Sequence, residues 1–153
     1  MLRRLVLSAL LLAKLVTAFD ELTSISQREN ALAVAVRSKN KALLSTLTDK
    51  DFHVSWYQGT AVQSLETDVS RQTWIDDLSH LRIESYKIEI SKVQRADKGE
   101  RSQRPLGVYV TLTEFWTVVS ARDSRIDKRV ESHDLWIRQK GGWKLASRLS
   151  RPQ

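Results

Sequence analysis

The chain has 153 residues, of which 41% are hydrophobic and 28% are charged. This length suits a single folded core, and this composition excludes a wholly disordered chain. The formal net charge is +7, and the absence of cysteine excludes disulfide bonds, a lipid-modified cysteine and a thiolate metal site.

The N-terminus has the three parts of a secretory signal peptide. Arg3 and Arg4 supply positive charge, residues 5–13 form an apolar run, and small residues lead to Ala18. The apolar run is shorter than the roughly 20 residues that span a bilayer, and Lys14 follows it, so a permanent anchor is the weaker alternative. We predict cleavage after Ala18 and a secreted or periplasmic protein with no stable membrane anchor.

Cleavage would divide the chain into a signal peptide, residues 1–18, and one domain, residues 19–153. It would remove three of the 25 basic residues, so 22 would remain against 18 acidic residues and the net charge would fall to +4. The basic segment 95–104 is interrupted by Asp97 and Glu100 and has no aromatic residue to stack on bases. It is therefore interpreted as a solvated loop, and no nucleic-acid partner is expected.

A long first helix is predicted over residues 20–37, because apolar residues recur there at helical spacing. These residues are Leu22, Ile25, Leu32 and Val36. Ser26 followed by Glu29 has the form of a capping box, in which each side chain bonds to the other's backbone at the start of a helix. The regular part of the helix is therefore expected to start near Ser26.

Two shorter helices are predicted further along the chain. Leu43, Leu44 and Leu47 would share one side of a second helix that ends near Thr48. A third helix is predicted over residues 70–81, with an apolar stripe at helical spacing. The stripe consists of Trp74, Ile75, Leu78 and Leu81.

Alternation of apolar and polar residues with a period of two predicts a series of strands. They cover residues 52–59, 86–94, 107–121, 129–139 and 143–150, and several are rich in β-branched and aromatic residues.

Turn residues predict two hairpin connections within this series. Residues 123–128 would join the third and fourth predicted strands. Residues 140–142 would join the last two, where Gly141 and Gly142 supply the positive backbone angles of a tight turn. Helices followed by consecutive strands indicate an α+β fold with a mostly antiparallel sheet.

The order of these elements, and above all the closing segment HDLWIRQKGGWKLASRLS, resembles the SnoaL-like DUF4440 domain of the nuclear transport factor 2-like superfamily. The matching positions are Asp49, Asp51, Gly59, Trp136, Gly142, Trp143 and Ser150. The resemblance covers nearly the whole mature chain. It implies a cone-shaped α+β fold, in which a strongly curved, mostly antiparallel sheet packs on the three predicted N-terminal helices and leaves a pocket.

The resemblance implies a fold more than a reaction, because this superfamily includes isomerases, dehydratases, cyclases, transport factors and non-catalytic binding domains. A ketosteroid isomerase needs a carboxylate base near the end of the first strand and acidic hydrogen-bond donors in an apolar cavity. The predicted first strand carries no such carboxylate, and the first helix has Leu32 and Val36 where a tyrosine donor would be sought. The isomerase residues are therefore not visible.

A dehydratase-like site would instead need histidine, tyrosine and acid groups that converge on the cavity. His53 and Tyr57 share one face of the first strand, which is either the pocket face or the solvent face. Glu114 interrupts an apolar run, where it either faces outward or acts as a pocket carboxylate, since an unpaired buried charge is costly. Arg148 could reach an anionic ligand or Glu114, or be an ordinary surface arginine.

The apolar pattern of the fourth predicted strand bears on two further residues. His133 shares a face with Leu135 and Ile137 and is therefore expected to point inward near the mouth of the cone. Trp136 alternates with the same two residues, so both faces carry apolar bulk, and a homodimer through the outer sheet face would cover one of them. Trp116 is a candidate pocket residue, although tryptophans are more often core or interface residues.

No cofactor or metal is expected. His53, His80 and His133 lack the close spacing of a local metal motif, and there is neither a G-x-S-x-G elbow nor a glycine loop that would cradle a phosphate.

The resemblance and the candidate residues leave three hypotheses for the function. The protein is an exported domain that binds a small, largely apolar molecule, a lyase or isomerase that uses His53, Tyr57, Glu114 or His133, or a non-catalytic dimeric interaction module.

Overall fold

Three helices and six strands make up the computed structural model in the residues that it describes, which are 23–58, 65–96 and 107–153. Helix α1 covers residues 23–38, helix α2 Lys41–Leu47 and helix α3 Arg71–His80. The strands are β1 Thr48–Gln58, β2 Leu65–Ser70, β3 Arg82–Arg95, β4 Gly107–Val119, β5 Arg125–Gln139 and β6 Gly142–Pro152. The predicted signal peptide lies outside the described residues, so its cleavage and the export of the protein stay predictions.

Helix α1 is already regular at residue 23, so Ser26 lies inside the helix and the predicted capping box is wrong. Glu29 is only 1% exposed and lies on the side of the helix that faces the sheet. Its Oε1 atom accepts a hydrogen bond from the indole nitrogen of Trp136 at 2.5 Å. Glu29 therefore accepts a hydrogen bond from the buried indole of Trp136, whereas the sequence pattern had predicted that it caps the start of the helix.

Side-chain caps fix the starts of the other two helices. Asn40 accepts a hydrogen bond from the backbone nitrogen of Leu43 at 3.0 Å and caps α2. Ser70 accepts one from the backbone nitrogen of Thr73 at 3.3 Å and caps α3. The bounds of α3 confirm the predicted third helix to within one residue at each end.

The six strands form one sheet in the order β2-β1-β6-β5-β4-β3. Strands β1 and β6 are parallel, and the other neighbouring pairs are antiparallel. Strand β2 was not predicted, β1 begins earlier than the predicted residue 52, and β5 begins at Arg125 within the connection predicted for residues 123–128. The α+β class with a mostly antiparallel sheet is confirmed.

The predicted turn between the last two strands is confirmed, and Gly142 has the positive φ of 106° that a glycine tolerates best. The positive angle predicted for Gly141 is wrong, since Gly142 is the one glycine of the described residues that has it. A Cβ atom at this position would also lie 3.2 Å from the Nη2 atom of Arg28 in helix α1. The backbone angle therefore favours glycine at the closing hairpin, whereas the end of the flexible Arg28 side chain could move aside for a Cβ atom.

A β-bulge in β6 decides which of its side chains point into the fold. Leu135 pairs with Ser147, but the next residue of β5, Trp136, pairs with Leu145, so Ala146 is the extra residue. As a result Leu145 and Arg148 both face inward, although they are an odd number of residues apart.

One face of the sheet packs on the helices and forms the core with them. The largest fully buried apolar side chains include Trp136, Phe52, Ile25, Leu32, Leu112 and Leu145. No helix within the described residues is long and apolar enough to cross a membrane.

Candidate functional site

A cavity of about 530 Å³ lies between helix α3 and the inner face of the sheet. Its apolar lining residues are Trp56, Val69, Trp74, Leu78, Leu81, Trp116, Val118, Val130 and Pro152. The exposed charged residues Asp77, Asp127, Lys128 and Arg129 lie where it opens to solvent. Its volume falls within the roughly 300–1,000 Å³ that is usual for small-molecule sites.

Three tryptophans meet in this cavity because each occupies an inward position of its element. Trp56 lies on the same face of β1 as the buried Phe52, Trp116 lies on the inner face of β4, and Trp74 belongs to the buried stripe of α3. The ring centroids of Phe52 and Trp74 are 5.1 Å apart, and those of Tyr86 and Trp116 are 4.3 Å apart. These ring contacts hold the aromatic wall in place.

A group of polar side chains is buried next to the cavity on the same inner face. This buried polar cluster consists of Glu29, Tyr86, Glu114, Ser132, Asp134, Arg148 and Ser150. None of these residues is more than 4% exposed. Such a cluster is stable only when its charges and hydrogen bonds are satisfied internally.

Arg148 is the only cation of the cluster, and two carboxylates hold it. Its Nε and Nη2 atoms donate to the two carboxylate oxygens of Asp134 at 2.7 and 2.6 Å, which is a bidentate pair. Its Nη1 atom donates to Oε2 of Glu114 at 3.3 Å. Burial lowers the pKa of Arg148, but Asp134 and Glu114 outweigh burial and keep that pKa well above its usual range.

Glu114 accepts hydrogen bonds from three neighbours. They come from Arg148, from the hydroxyl of Tyr86 at 2.7 Å and from the hydroxyl of Ser132. Burial, and then the charge of Glu114, raise the pKa of Tyr86 well above its usual range. The phenol therefore stays protonated and donates a hydrogen bond to Glu114. These three hydrogen bonds place Glu114 at the centre of the cluster as an acceptor.

Glu29 completes the cluster from helix α1. Burial first, and then the charge of Asp134, raise its pKa well above the usual range, whereas Arg148 and the indole of Trp136 lower it. Its Oε2 atom is buried, accepts no hydrogen bond and lies 3.9 Å from Nη2 of Arg148. Burial and the charge of Asp134 therefore favour the neutral, protonated form of Glu29.

The buried polar cluster does not line the cavity in the part of the chain that the structure describes. Trp116 and Val130 are the next inward residues after Glu114 and Ser132 along β4 and β5, and both of them do line it. The apolar wall therefore lies between a ligand in the cavity and the buried acids. The candidate site therefore consists of an apolar cavity and a buried polar cluster next to it.

Replacing Tyr86 with phenylalanine should lower the free energy of unfolding by about 1.5–3 kcal/mol, because a hydrogen bond to the buried Glu114 is lost. Chemical denaturation followed by fluorescence would measure the change. Tyr109→Phe is the matched control, since Tyr109 is a strand tyrosine on the outer face and is 44% exposed. Equal losses in the two variants would contradict this role of Tyr86.

The structure places the predicted site residues on both faces of the sheet. His53 and Tyr57 lie on the outer face of β1, with His53 exposed and Tyr57 half-buried, so the solvent face is the correct alternative for this pair. Glu114 faces inward and is 2% exposed, Arg148 reaches it, and Trp116 lines the cavity. The alternatives in which Glu114 faces outward and Arg148 is an ordinary surface arginine are therefore both wrong.

The expectation that His133 points inward is wrong. Its ring lies on the outer face of β5, where Nδ1 is 3.2 Å from the hydroxyl of Thr111 and Nε2 is 3.0 Å from Oε1 of Glu131. Trp136 is fully buried on the opposite face, whereas Leu135 and Ile137 are only half-buried. The one large indole, and not the two aliphatic residues, marks the inner face of the strand.

Sequence reasoning missed Glu29, Tyr86, Ser132 and Asp134. A signal for two of them was present, because alternation counted back from Trp136 leads to Asp134 and then to Ser132. The role of Glu29 depends on how α1 packs on β5, which no local pattern encodes.

The outer face of β3 to β6 carries a mixed surface. Tyr109 is 44% exposed, and the guanidinium of Arg129 lies 5.7 Å from the ring centroid of Phe115. A homodimer through this face stays a prediction.

Across the described ranges, no three histidine, cysteine, aspartate or glutamate residues are grouped so as to hold a metal ion.

Three solved structures show what this chain is similar to. A nuclear transport factor 2-like protein from Cytophaga hutchinsonii is 15% identical, with 87% of this chain and 98% of that chain covered and a TM-score of 0.65. A ketosteroid isomerase-like protein from Erwinia carotovora atroseptica is 13% identical, with 86% and 95% covered and a TM-score of 0.63. A proposed scytalone dehydratase from Novosphingobium aromaticivorans is 15% identical, with 90% and 87% covered and a TM-score of 0.62.

These likenesses cover nearly the whole chain at low identity, so they establish the fold alone. The chain has the α+β cone fold of the nuclear transport factor 2-like proteins, as the resemblance implied. No family model and no curated protein matches its sequence, and membership of the DUF4440 family stays a prediction.

Proposed function

We propose that the protein binds a small, largely apolar molecule in the cavity between α3 and the sheet. The observation that carries this proposal is the lining, in which Trp56, Trp74 and Trp116 surround a space of about 530 Å³. Aromatic walls give a flat apolar ligand a large contact area, and few polar groups compete for it. The polar residues of the lining are confined to the opening.

The placement of the acid-base residues favours binding over catalysis. His53, Tyr57 and His133 lie on the outer face of the sheet, away from the cavity. Glu114 lies behind the apolar wall and accepts hydrogen bonds from three neighbours. Two of these groups would have to meet at a ligand for a lyase or isomerase, and none of them lines the cavity.

Filling the cavity should weaken binding of an apolar probe. N-phenyl-1-naphthylamine, a neutral dye that fluoresces in apolar surroundings, should bind the wild-type protein saturably. Val69→Trp places a large side chain on the half-buried inner face of β2 and should weaken this binding by about tenfold or more. Dye fluorescence, excited outside tryptophan absorption, gives the dissociation constant.

The matched control is Lys87→Trp, which puts the same side chain on the exposed outer face of β3 and should leave dye binding as it is in the wild type. Circular dichroism would confirm that both variants fold. Absence of saturable binding by the wild type, or equal binding by the two variants, would overturn the proposal.

A further inference from the structure

Two opposite charges at the opening of the cavity have no partner in the described part of the chain. Lys128 reaches the opening from β5 and Asp77 from α3, and both side chains are exposed. Neither one forms an ion pair or a hydrogen bond with a described residue. A charge that lines an apolar cavity and has no partner is available to a ligand.

Lys128 lies in the better position to meet a molecule held by the tryptophans. It pairs directly with Trp116 across the strands, and Val130, the next inward residue of β5, lines the cavity wall. The methylene chain of the lysine can therefore cover the apolar wall while its ammonium group stays at the opening. An anionic group on a ligand whose rings touch Trp116 would come within its reach.

The other two charged residues of the opening are engaged elsewhere. Asp127 accepts a hydrogen bond from the hydroxyl of Thr117 at 2.7 Å and lies 3.8 Å from Nε of Arg125. The guanidinium of Arg129 lies over the ring of Phe115. Lys128 is therefore the lining cation for which the described residues provide no such contact.

We propose that the ligand of this cavity is a flat apolar molecule with a single anionic group, such as an aromatic carboxylate, and that Lys128 binds the anion. This inference rests on the proposed function and names the class of ligand. Asp77 lines the same opening from α3, so it repels a second negative charge and makes the site selective for monoanions.

A matched pair of probes separates the charge from the shape. 2-Naphthoate and 2-naphthamide have the same ring system, but only the first is charged at neutral pH. The wild-type protein should bind naphthoate about fivefold more tightly than naphthamide, which is the upper range for a partly exposed ion pair. Quenching of tryptophan fluorescence or calorimetry would give both dissociation constants.

Three variants test which residue sets the preference. Lys128→Gln should bring the ratio of the two dissociation constants to about one, since only the charge-dependent part of binding is removed. Lys87→Gln, an exposed lysine on the outer face of β3, should keep the wild-type ratio. Asp77→Asn should improve binding of naphthalene-2,6-dicarboxylate more than binding of naphthoate.

The outcomes distinguish this inference from the proposed function. If neither naphthoate nor naphthamide binds, this inference fails, and the proposed function fails with it only if N-phenyl-1-naphthylamine does not bind either. If naphthoate binds no more tightly than naphthamide, both to the wild type and to Lys128→Gln, the assignment of an anionic ligand is wrong. The proposed apolar binding site is then still supported. If 2-naphthylmethylammonium binds best and Asp77→Asn removes that preference, the site selects a cation and the inference is overturned.

Discussion

Replacing Arg148 with methionine should lower the free energy of unfolding by about 3–5 kcal/mol, which is the usual result of removing one partner from a buried ion pair. Methionine keeps much of the side-chain volume but leaves Asp134 and Glu114 without their shared cation. Asp134 is fully buried and Glu114 is 2% exposed, so water cannot replace the guanidinium without opening the core. Urea unfolding followed by circular dichroism would measure the loss.

Arg151→Met is the matched control, because Arg151 belongs to the same strand but is exposed on the outer face. Its replacement should change the free energy of unfolding by no more than about 0.5 kcal/mol. The double variant Arg148→Met with Asp134→Asn should recover part of the loss, since one of the two stranded charges is then removed. Equal effects of Arg148→Met and Arg151→Met would show that the cluster does not depend on the buried cation.

The same residues show how far the sequence alone leads. The apolar stripe of α3, the alternation in β4 and the double glycine of the last hairpin are local signals, and each one predicted an element that the structure contains. The inward direction of Arg148 depends instead on the extra residue Ala146 in β6. A bulge of this kind is not visible in the apolar pattern, because Leu145 and Leu149 fit an unbroken alternation that would place Arg148 outside.

The wrong prediction that His133 of β5 points inward has a related cause. Leu135, Trp136 and Ile137 are consecutive apolar residues, so a period of two does not tell which face is buried. Once the indole is placed inside, Asp134 and Ser132 must lie inside too, and His133 must lie outside. A single correct assignment would therefore have moved the candidate site from His133 to the buried polar cluster.

Ligand binding and stability are expected to depend on different residues of the inner face, which the sequence alone did not distinguish. Polar residues on the inner face were candidates for chemistry, but they bond to one another and tie helix α1 to β4, β5 and β6. Of the tryptophans that line the cavity next to them, only Trp116 was a pocket candidate, and Trp56 and Trp74 were interpreted as core or interface residues. Binding is thus expected to depend on the tryptophans and on the charges at the opening, and stability on the cluster behind them.

Glu29→Gln should remove a loss of stability that the wild-type protein shows as the pH rises. Burial and the charge of Asp134 raise the pKa of folded Glu29 well above the ordinary value of 4.5. Above that ordinary value the unfolded chain loses the proton while the folded chain keeps it, so the folded state binds more protons. Stability therefore falls with rising pH, by up to about 1.4 kcal/mol per pH unit, until the folded pKa is passed.

Glutamine can keep the contacts of the neutral acid without titrating. Its carbonyl oxygen can accept the hydrogen bond from the indole of Trp136, and its amide can donate toward Asp134. From the ordinary value of about 4.5 upward, and until the folded pKa is passed, the difference in free energy of unfolding should change steadily in favour of Glu29→Gln. Urea unfolding at several pH values would measure this difference, which cancels the titration of other groups common to both proteins.

Glu89→Gln is the control for the loss of a carboxylate, because Glu89 is exposed on the outer face of β3. Its stability curve should run parallel to that of the wild type over the same pH range. Parallel curves for Glu29→Gln and the wild type would contradict a neutral Glu29. The cluster would then hold three carboxylate charges around Arg148, and the loss from Arg148→Met should exceed the range given above, because the cation would be offsetting one more buried charge.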